Sequence, residues 1–560
     1  MGKYDFGWAS LLLVILVWSV NVVSEGVIKV NSKFAGLERN LRALKAHDEM
    51  RHLHILAGID LPIGGTGRPN SVGLYFAEIG IGTPPNNYFV QVDTGSDIMW
   101  VNCIACQRCP KRGYRNIELT LYNPRDSLTG KLVVCGQSFC KDFYKRSGLG
   151  CSGNSSCMYD QAYGDGSSTK GYFVEDVVQY NKVSGDLQTK SGNGSVIFGC
   201  GYSQSADLIS SDEAFDGILG FGKSNSSILS QLASSGKVKK MFAHCLDGVN
   251  GGGIFAIGNV VQPKVNMTPL VPNKAFASNL SLHIYLQFWE ENIVAVHFQE
   301  TVKVGTVFSG NCQQVDPPKS SIISCIFLVD DKLISCVVLF WSPKLFGPHY
   351  SANMMAVEVG YQFLNLSADV FMNGENKEVI IDSGTTLAYL PDVIYSPLVK
   401  KILSWQPDLK LRHDEYTCFE YSGRSSGNSI LNVDDGFPQV TFHFENSLSL
   451  RVRPHEYLFP YEDLVCIGWQ NSGNQSRDNW NLTVFGDLVL SNRLILYDLE
   501  NQAIGWTEYN CSSNISLKDE ITGLVHLVGA HTLSSGSRLT AQMAVTFLLF
   551  AALLHNLFNW

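Results

Sequence analysis

Short apolar runs that end in turn residues mark the folded part of this chain, and two of them end alike. Tyr88-Phe89-Val90-Gln91-Val92 reads as a strand that empties into Asp93-Thr94-Gly95-Ser96, and Val379-Ile380-Ile381 empties into Asp382-Ser383-Gly384-Thr385. Ahead of the first, Gly73 to Pro85 predicts a strand stopped by a Pro-containing turn. Between them, Tyr159 to Phe173 predicts two strand arms around a Tyr163-Gly164-Asp165-Gly166 hairpin tip. Further strands are expected at Met355–Val359, Val484–Phe485, Arg493–Asp498 and Ala503–Trp506, and a helix punctuated by proline over 391–403. The expected fold class is mainly β.

The two ends of the chain have a different pattern. Residues 1–24 carry Lys3 and then the apolar run Leu11–Val17, the layout of a signal peptide. Residues 25–68 are rich in Lys, Arg and His and are expected to be a propeptide, basic enough to lie across an acidic cleft. The far end, 512–560, is expected to be a linker and a tail. Its last residues, Ala541–Trp560, are apolar, follow the small residues Ser534–Ser537 and carry no basic residue after them. That layout fits exchange for a glycosylphosphatidylinositol anchor, with a membrane span or a buried helix as alternatives.

At 560 residues the chain suits two or three domains, and 51 glycines favour turn-rich β structure. A net charge of −9 argues against a nucleic-acid partner and fits work at low pH. Glycosylation is expected on sequons including Asn154, Asn193, Asn225, Asn266, Asn365 and Asn474.

The repeated Asp-(Ser/Thr)-Gly-(Ser/Thr) element is the candidate chemistry. Two aspartates held together do not both ionise cheaply, so such a pair shares a proton. One carboxylate then serves as base toward a water while the other donates to a carbonyl oxygen, which cleaves peptide bonds without a covalent intermediate. Neither cofactor nor metal is needed. The spacing of Cys103, Cys106 and Cys109 has a zinc reading, but no matching Cys or His pair follows and the compartment is oxidising, so disulfides are expected. Gly217–Ser224 formally fits a phosphate-binding loop, yet its inner Ile, Leu and Phe suit no polyphosphate. Gly423–Gly427 fits a nucleophile elbow but lacks the preceding strand.

Around Asn273 the pattern breaks. Thr268–Asn273 runs naturally into Pro348–Ser351, and residues 274–347 intervene with a different flavour and three cysteines of their own. They are expected to be foreign to the fold, as translation of an unspliced intron would produce, or else an inserted subdomain. Of the 15 cysteines the remaining twelve suit six disulfides; Cys418 and Cys466 are expected to pair, and the other partners stay open.

Taken together, these residues resemble the pepsin-like aspartic proteases, and more closely their plant branch typified by nepenthesin, including its anchored members. The resemblance rests on the two tetrapeptides, the Tyr-Gly-Asp-Gly-Ser hairpin, the Cys-rich insertion 103–157 and the twelve cysteines. It implies two β lobes, 69–260 and 261–511, with a cleft between them. It implies that Asp93 and Asp382 are catalytic, that Ser96 and Thr385 support the carboxylates, and that Thr94 and Ser383 brace their loops at Gly95 and Gly384. Tyr163 and Gly164 would form a flap over substrate, with Trp100 as partner to Tyr163. Ile218-Leu219-Gly220 and Val484-Phe485-Gly486 would lie beneath the two loops. The implied protein is a monomeric endopeptidase acting on polypeptides outside the cell. A non-catalytic binding protein on the same scaffold and an inactive splice product are the alternatives.

Overall fold

The computed structural model describes residues 58–69, 73–114, 118–147, 151–205, 208, 215–272, 312–314, 322–329, 332–340, 349–367, 369–372, 377–413, 416–421, 433–475 and 482–533. The expected signal peptide, the start of the propeptide, the apolar tail and the Gly423–Gly427 loop lie outside the described residues.

Strands follow the apolar runs. Tyr75–Ile81 pairs antiparallel with Asn86–Asp93, and Gly217–Gly220 pairs parallel with the latter so that Gly220 lies opposite Asp93. The second half repeats this plan. Ser351–Val359 pairs antiparallel with Glu378–Ile381, and Thr483–Phe485 pairs parallel with Glu378–Ile381. Trp100–Asn102 and Ala388–Leu390 then occupy matching places beside Gly217–Gly220 and Thr483–Phe485. In each half a strand bearing an aspartate is thus sandwiched between two others. Its alternate side chains, such as Val90, Val92, Val379 and Ile381, are fully buried. Packing from both sides leaves these strand ends little freedom, and the loops they deliver inherit that rigidity.

The formal phosphate-loop match is the buried strand Gly217–Gly220. A Cβ on Gly217 would stand 1.9 Å from Trp100 O, so that glycine serves strand packing and leaves no cradle for an anion.

Three boundaries differ from the sequence expectation. Ile59–Asp60 and Ile63–Gly65 are strands of the main sheet, with Ile59, Leu61 and Ile63 in the core, so the end of the stretch expected to be propeptide is built into the sheet. The basic composition upstream masked this short apolar alternation. The two halves also share strands. Arg493–Asp498, late in the chain, pairs with Met241–Leu246, and Ala503–Glu508 pairs with Asn266–Pro269. Finally, residues 512–533 are not a linker. Ile515–Lys518 pairs with Asn259–Gln262 and with Val525–Val528, and the chain continues until Leu533 N–H donates to Ile63 O at 3.1 Å. Ile515, Leu517 and Val528 bury against Cys245 and Cys511, an apolar face that residue composition alone did not reveal.

Six disulfides lie among the described residues: Cys103–Cys200, Cys106–Cys109, Cys135–Cys151, Cys140–Cys157, Cys245–Cys511 and Cys418–Cys466. All three cysteines with a zinc reading are therefore consumed. Three strands of the intervening segment, Cys312–Gln314, Ile322–Val329 and Lys332–Phe340, pair with one another in a sheet of their own. The fold closes around that segment, since Val271 N–H donates to Ser351 O at 2.8 Å. Among the described residues, no helix is long and apolar enough to cross a membrane.

Candidate active site

The two loops meet face to face. Gly95 N–H donates to Asp93 Oδ1 at 2.8 Å and Ser96 Oγ donates to Asp93 Oδ2. In the second loop Gly384 N–H donates to Asp382 Oδ1 at 2.8 Å, and Thr385 Oγ1 donates to Asp382 Oδ2 at 2.6 Å. Each carboxylate is therefore held by one backbone and one hydroxyl donor from its own tetrapeptide. Glycine is required because the opposite aspartate stands where its side chain would go. A Cβ on Gly95 would lie 2.6 Å from the Asp382 carboxyl, and one on Gly384 would lie 2.2 Å from Asp93 Oδ1.

Beneath the carboxylates the loops are laced together. Ser383 N–H donates to Thr94 Oγ1 at 2.9 Å, Thr94 Oγ1 donates to Ile381 O at 3.3 Å, and Ser383 Oγ donates to Val92 O at 3.3 Å. Thr94 and Ser383 are wholly buried, so these bonds face no competition from water. Phe221 N–H donates to Asp93 O at 2.8 Å and Asp382 N–H to Phe485 O at 3.0 Å, which ties each loop to the segment below it.

Asp93 is only 5 % exposed, whereas Asp382 is half-buried. Burial first, and the neighbouring Asp382 carboxylate second, push the Asp93 carboxyl up to about 7, against the pull of Ser96. Asp93 therefore keeps its proton at acidic pH.

The hairpin tip stands over this pair. Its arms are Met158–Ala162 and Ser168–Gly185, closed by Tyr163 N–H to Ser167 O at 2.9 Å, with Gly166 at φ +86°. Trp100 Nε1 donates to Tyr163 Oη at 2.6 Å. Burial and the Asp93 carboxylate push the Tyr163 phenol well up, so it keeps its proton. Gly164 has open space around it. At the base of the hairpin, Cys135–Cys151 and Cys140–Cys157 clamp the helix Ser138–Ser147 against a small core of Trp100, Tyr159 and Phe173. The Cys-rich insertion is thus a footing for the hairpin.

Two titratable groups beside the pair escaped the sequence reading. Asp487 follows Val484-Phe485-Gly486 and is fully buried, and neither carboxyl oxygen has a hydrogen-bond partner among the described residues. Burial, then repulsion from Asp382 and Asp93, pushes its carboxyl well above the usual range. A charged residue within an apolar run was the available signal. His349 is the second; the intervening segment separated it from the strands that give it meaning. Of the glycosylation candidates, Asn154, Asn193, Asn225, Asn266 and Asn365 are exposed.

Residues 75–259 match the family described as xylanase inhibitor N-terminal, and residues 349–508 the one described as xylanase inhibitor C-terminal. The chain is 39% identical over 530 residues to aspartic proteinase 36 of Arabidopsis thaliana, covering 94% of this chain and 92% of that one. It is 40% identical over 515 residues to aspartic proteinase 39 of the same plant, covering 92% and 90%. Aspartic proteinase nepenthesin-2 of Nepenthes gracilis is 22% identical over 489 residues, covering 85% and 84%. Among solved structures, edgp superposes with a TM-score of 0.53 at 16% identity, covering 82% of this chain and 96% of that one. Conglutin gamma from lupine seeds gives 0.52 at 15% identity, covering 81% and 96%. These likenesses bear on the fold, which is the bilobal β architecture.

Proposed function

Since the chain belongs to the pepsin-like aspartic proteases of plants, we propose that it is an aspartic endopeptidase whose catalytic pair is Asp93 and Asp382. One carboxylate takes a proton from a water gripped between the pair, and that water attacks the scissile carbonyl carbon. The other carboxyl gives its proton to the carbonyl oxygen, so the amide passes through a neutral tetrahedral diol. Collapse returns a proton to the leaving nitrogen and breaks the C–N bond. Tyr163 and Gly164 close over the bound polypeptide, while Ser96 and Thr385 hold the carboxylates in register.

The observation that carries this reading is the matched set of donors, Gly95 N and Ser96 Oγ on one aspartate and Gly384 N and Thr385 Oγ1 on the other. A binding protein has no use for two carboxylates forced within reach of each other, because the arrangement costs folding energy at neutral pH. The descriptions of the two matching families favour the second reading, a non-catalytic protein that binds another enzyme. The six disulfides favour an oxidising compartment, and the leader and apolar tail would place a monomeric, anchored enzyme on the outer face of the plasma membrane.

The test is hydrolysis of casein at mildly acidic pH by the full chain, by the chain lacking 274–347, and by each with Asp93→Asn. Cleavage that disappears with Asp93→Asn supports the protease. Absence of cleavage by every form sinks it in favour of the binding protein. Activity confined to the shortened chain would identify 274–347 as foreign to the working fold, which the Val271–Ser351 pairing supports.

A further inference from the structure

Two buried tyrosines stand beside the aspartate strands, one in each half, and each sends its hydroxyl across to the other half. Tyr350 precedes the strand Ser351–Val359, and its carbonyl accepts the N–H of Ile381, one residue before Asp382, at 2.8 Å. Its Oη donates to Phe221 O at 2.7 Å. Phe221 lies beneath the first loop, and its own N–H donates to Asp93 O at 2.8 Å. One residue thus closes a hydrogen-bonded path from the main chain of Asp93 to the main chain that delivers Asp382.

Tyr75 opens the strand Tyr75–Ile81 beside Asn86–Asp93. Its Oη lies 3.2 Å from Ser491 Oγ, which donates to Asp487 O at 2.6 Å. Because the serine proton goes to that carbonyl, the phenol is the donor to Ser491. Asp487 N–H donates to Thr385 O at 2.7 Å, so this path ends in the second loop as the other ends in the first. The two paths are counterparts, except that Ser491 lengthens one of them.

Both side chains are fully buried, so their bonds face no competition from water. The Tyr350 ring is met edge-on by Phe242 at 5.7 Å and Tyr497 at 4.7 Å between centroids, which keeps the phenol from swinging. Burial pushes both phenols well up, so each keeps the proton it donates. The bonds of Thr94 and Ser383 hold the tetrapeptides at their common centre, and a joint at one centre still permits pivoting. Two further ties, one leaving each half, oppose that pivot.

We infer that Tyr350 is a positioning residue of the catalytic pair, with Tyr75 as its counterpart: the crossing hydroxyls fix the angle at which the two halves present their aspartates. The inference rests on the protease reading for its effect on rate, and on the bonds themselves for its effect on the loops.

The experiment compares the parent with Tyr350→Phe, Tyr75→Phe and Tyr457→Phe. Tyr457 is the matched control, since it is equally buried and its Oη donates to a carbonyl, Pro438 O, at 2.7 Å within one half. With each protein fully folded by circular dichroism, Tyr350→Phe is expected to lower kcat on a casein-derived peptide by about 10–10²-fold with KM little changed. Tyr457→Phe is expected to lower only the unfolding midpoint. Without reference to cleavage, amide hydrogen exchange in the segments 93–97 and 381–386 is expected to speed up in Tyr350→Phe relative to Tyr457→Phe. Tyr75→Phe is expected to move both readouts in the same direction, and it decides the matter if Tyr350→Phe does not fold. A kcat equal to that of the parent would overturn the inference, as would exchange that matches Tyr457→Phe. If the parent cleaves nothing, the protease reading fails and the exchange comparison alone decides whether Tyr350 orders the loops.

Discussion

Thr94 and Ser383 are bonded to each other across the two halves of the molecule, the Ser383 N–H resting on Thr94 Oγ1 at 2.9 Å. Each hydroxyl also reaches a carbonyl of the opposite strand, Thr94 to Ile381 and Ser383 to Val92. Thr94→Val keeps the shape and removes the acceptor, leaving a buried N–H unpaired. The expected cost is about 1–3 kcal/mol, read as a lower denaturant midpoint with unchanged slope. A fall in kcat should accompany it, because the two carboxylates lose their common footing.

Replacing either loop glycine tests the closeness of the pair directly. In Gly384→Ala the new methyl would meet Asp93 Oδ1 at 2.2 Å, so the aspartates must part. Casein hydrolysis is expected to fall by about 10²-fold or more, while the circular dichroism of the strands stays unchanged.

The Asp93 carboxyl titrates higher in the folded chain than in the unfolded one, where its value is the ordinary 3.8. Between those values the folded form holds a proton that the unfolded form has released. Stability from this group is therefore complete below about 4 and is lost as pH rises toward about 7. In Asp93→Asn that decline should be shallower, and calorimetry of the two proteins across this range checks the sign. Proteolysis by the variant should drop by about 10²–10⁴-fold or more.

Asp487 acts in the same direction, being buried without a partner and raised well above its ordinary value. Asp487→Asn is expected to raise the unfolding midpoint at neutral pH and to change it little near pH 4. An equal change at both pH values would mean that charge is not what the buried carboxyl contributes.

Much of this molecule could be read from the chain. The strand Asn86–Asp93 and its counterpart Glu378–Ile381 were legible because apolar runs stopped by Asp-x-Gly leave few alternatives to a strand end. The hairpin tip at Tyr163 was legible for the same reason. The ends of the fold were less so. Ile59–Gly65 and Ile515–Val528 are short strands whose burial depends on partners more than about a hundred residues away, at Asn181 and Ile257 for the former and at Asn259–Gln262 for the latter.

Residue identity and local order determined that this chain carries two equivalent carboxylate loops, because the tetrapeptides are self-contained: each supplies its own glycine, hydroxyl and N–H. Only the tertiary structure decided what surrounds them. The placing of His349 near Asp382, and of Asp487 near both carboxylates, follows from strand register and layer packing. Register is a relation between distant segments, and a carboxyl's proton affinity depends on burial and neighbouring charge, neither of which is written at the position of the aspartate itself.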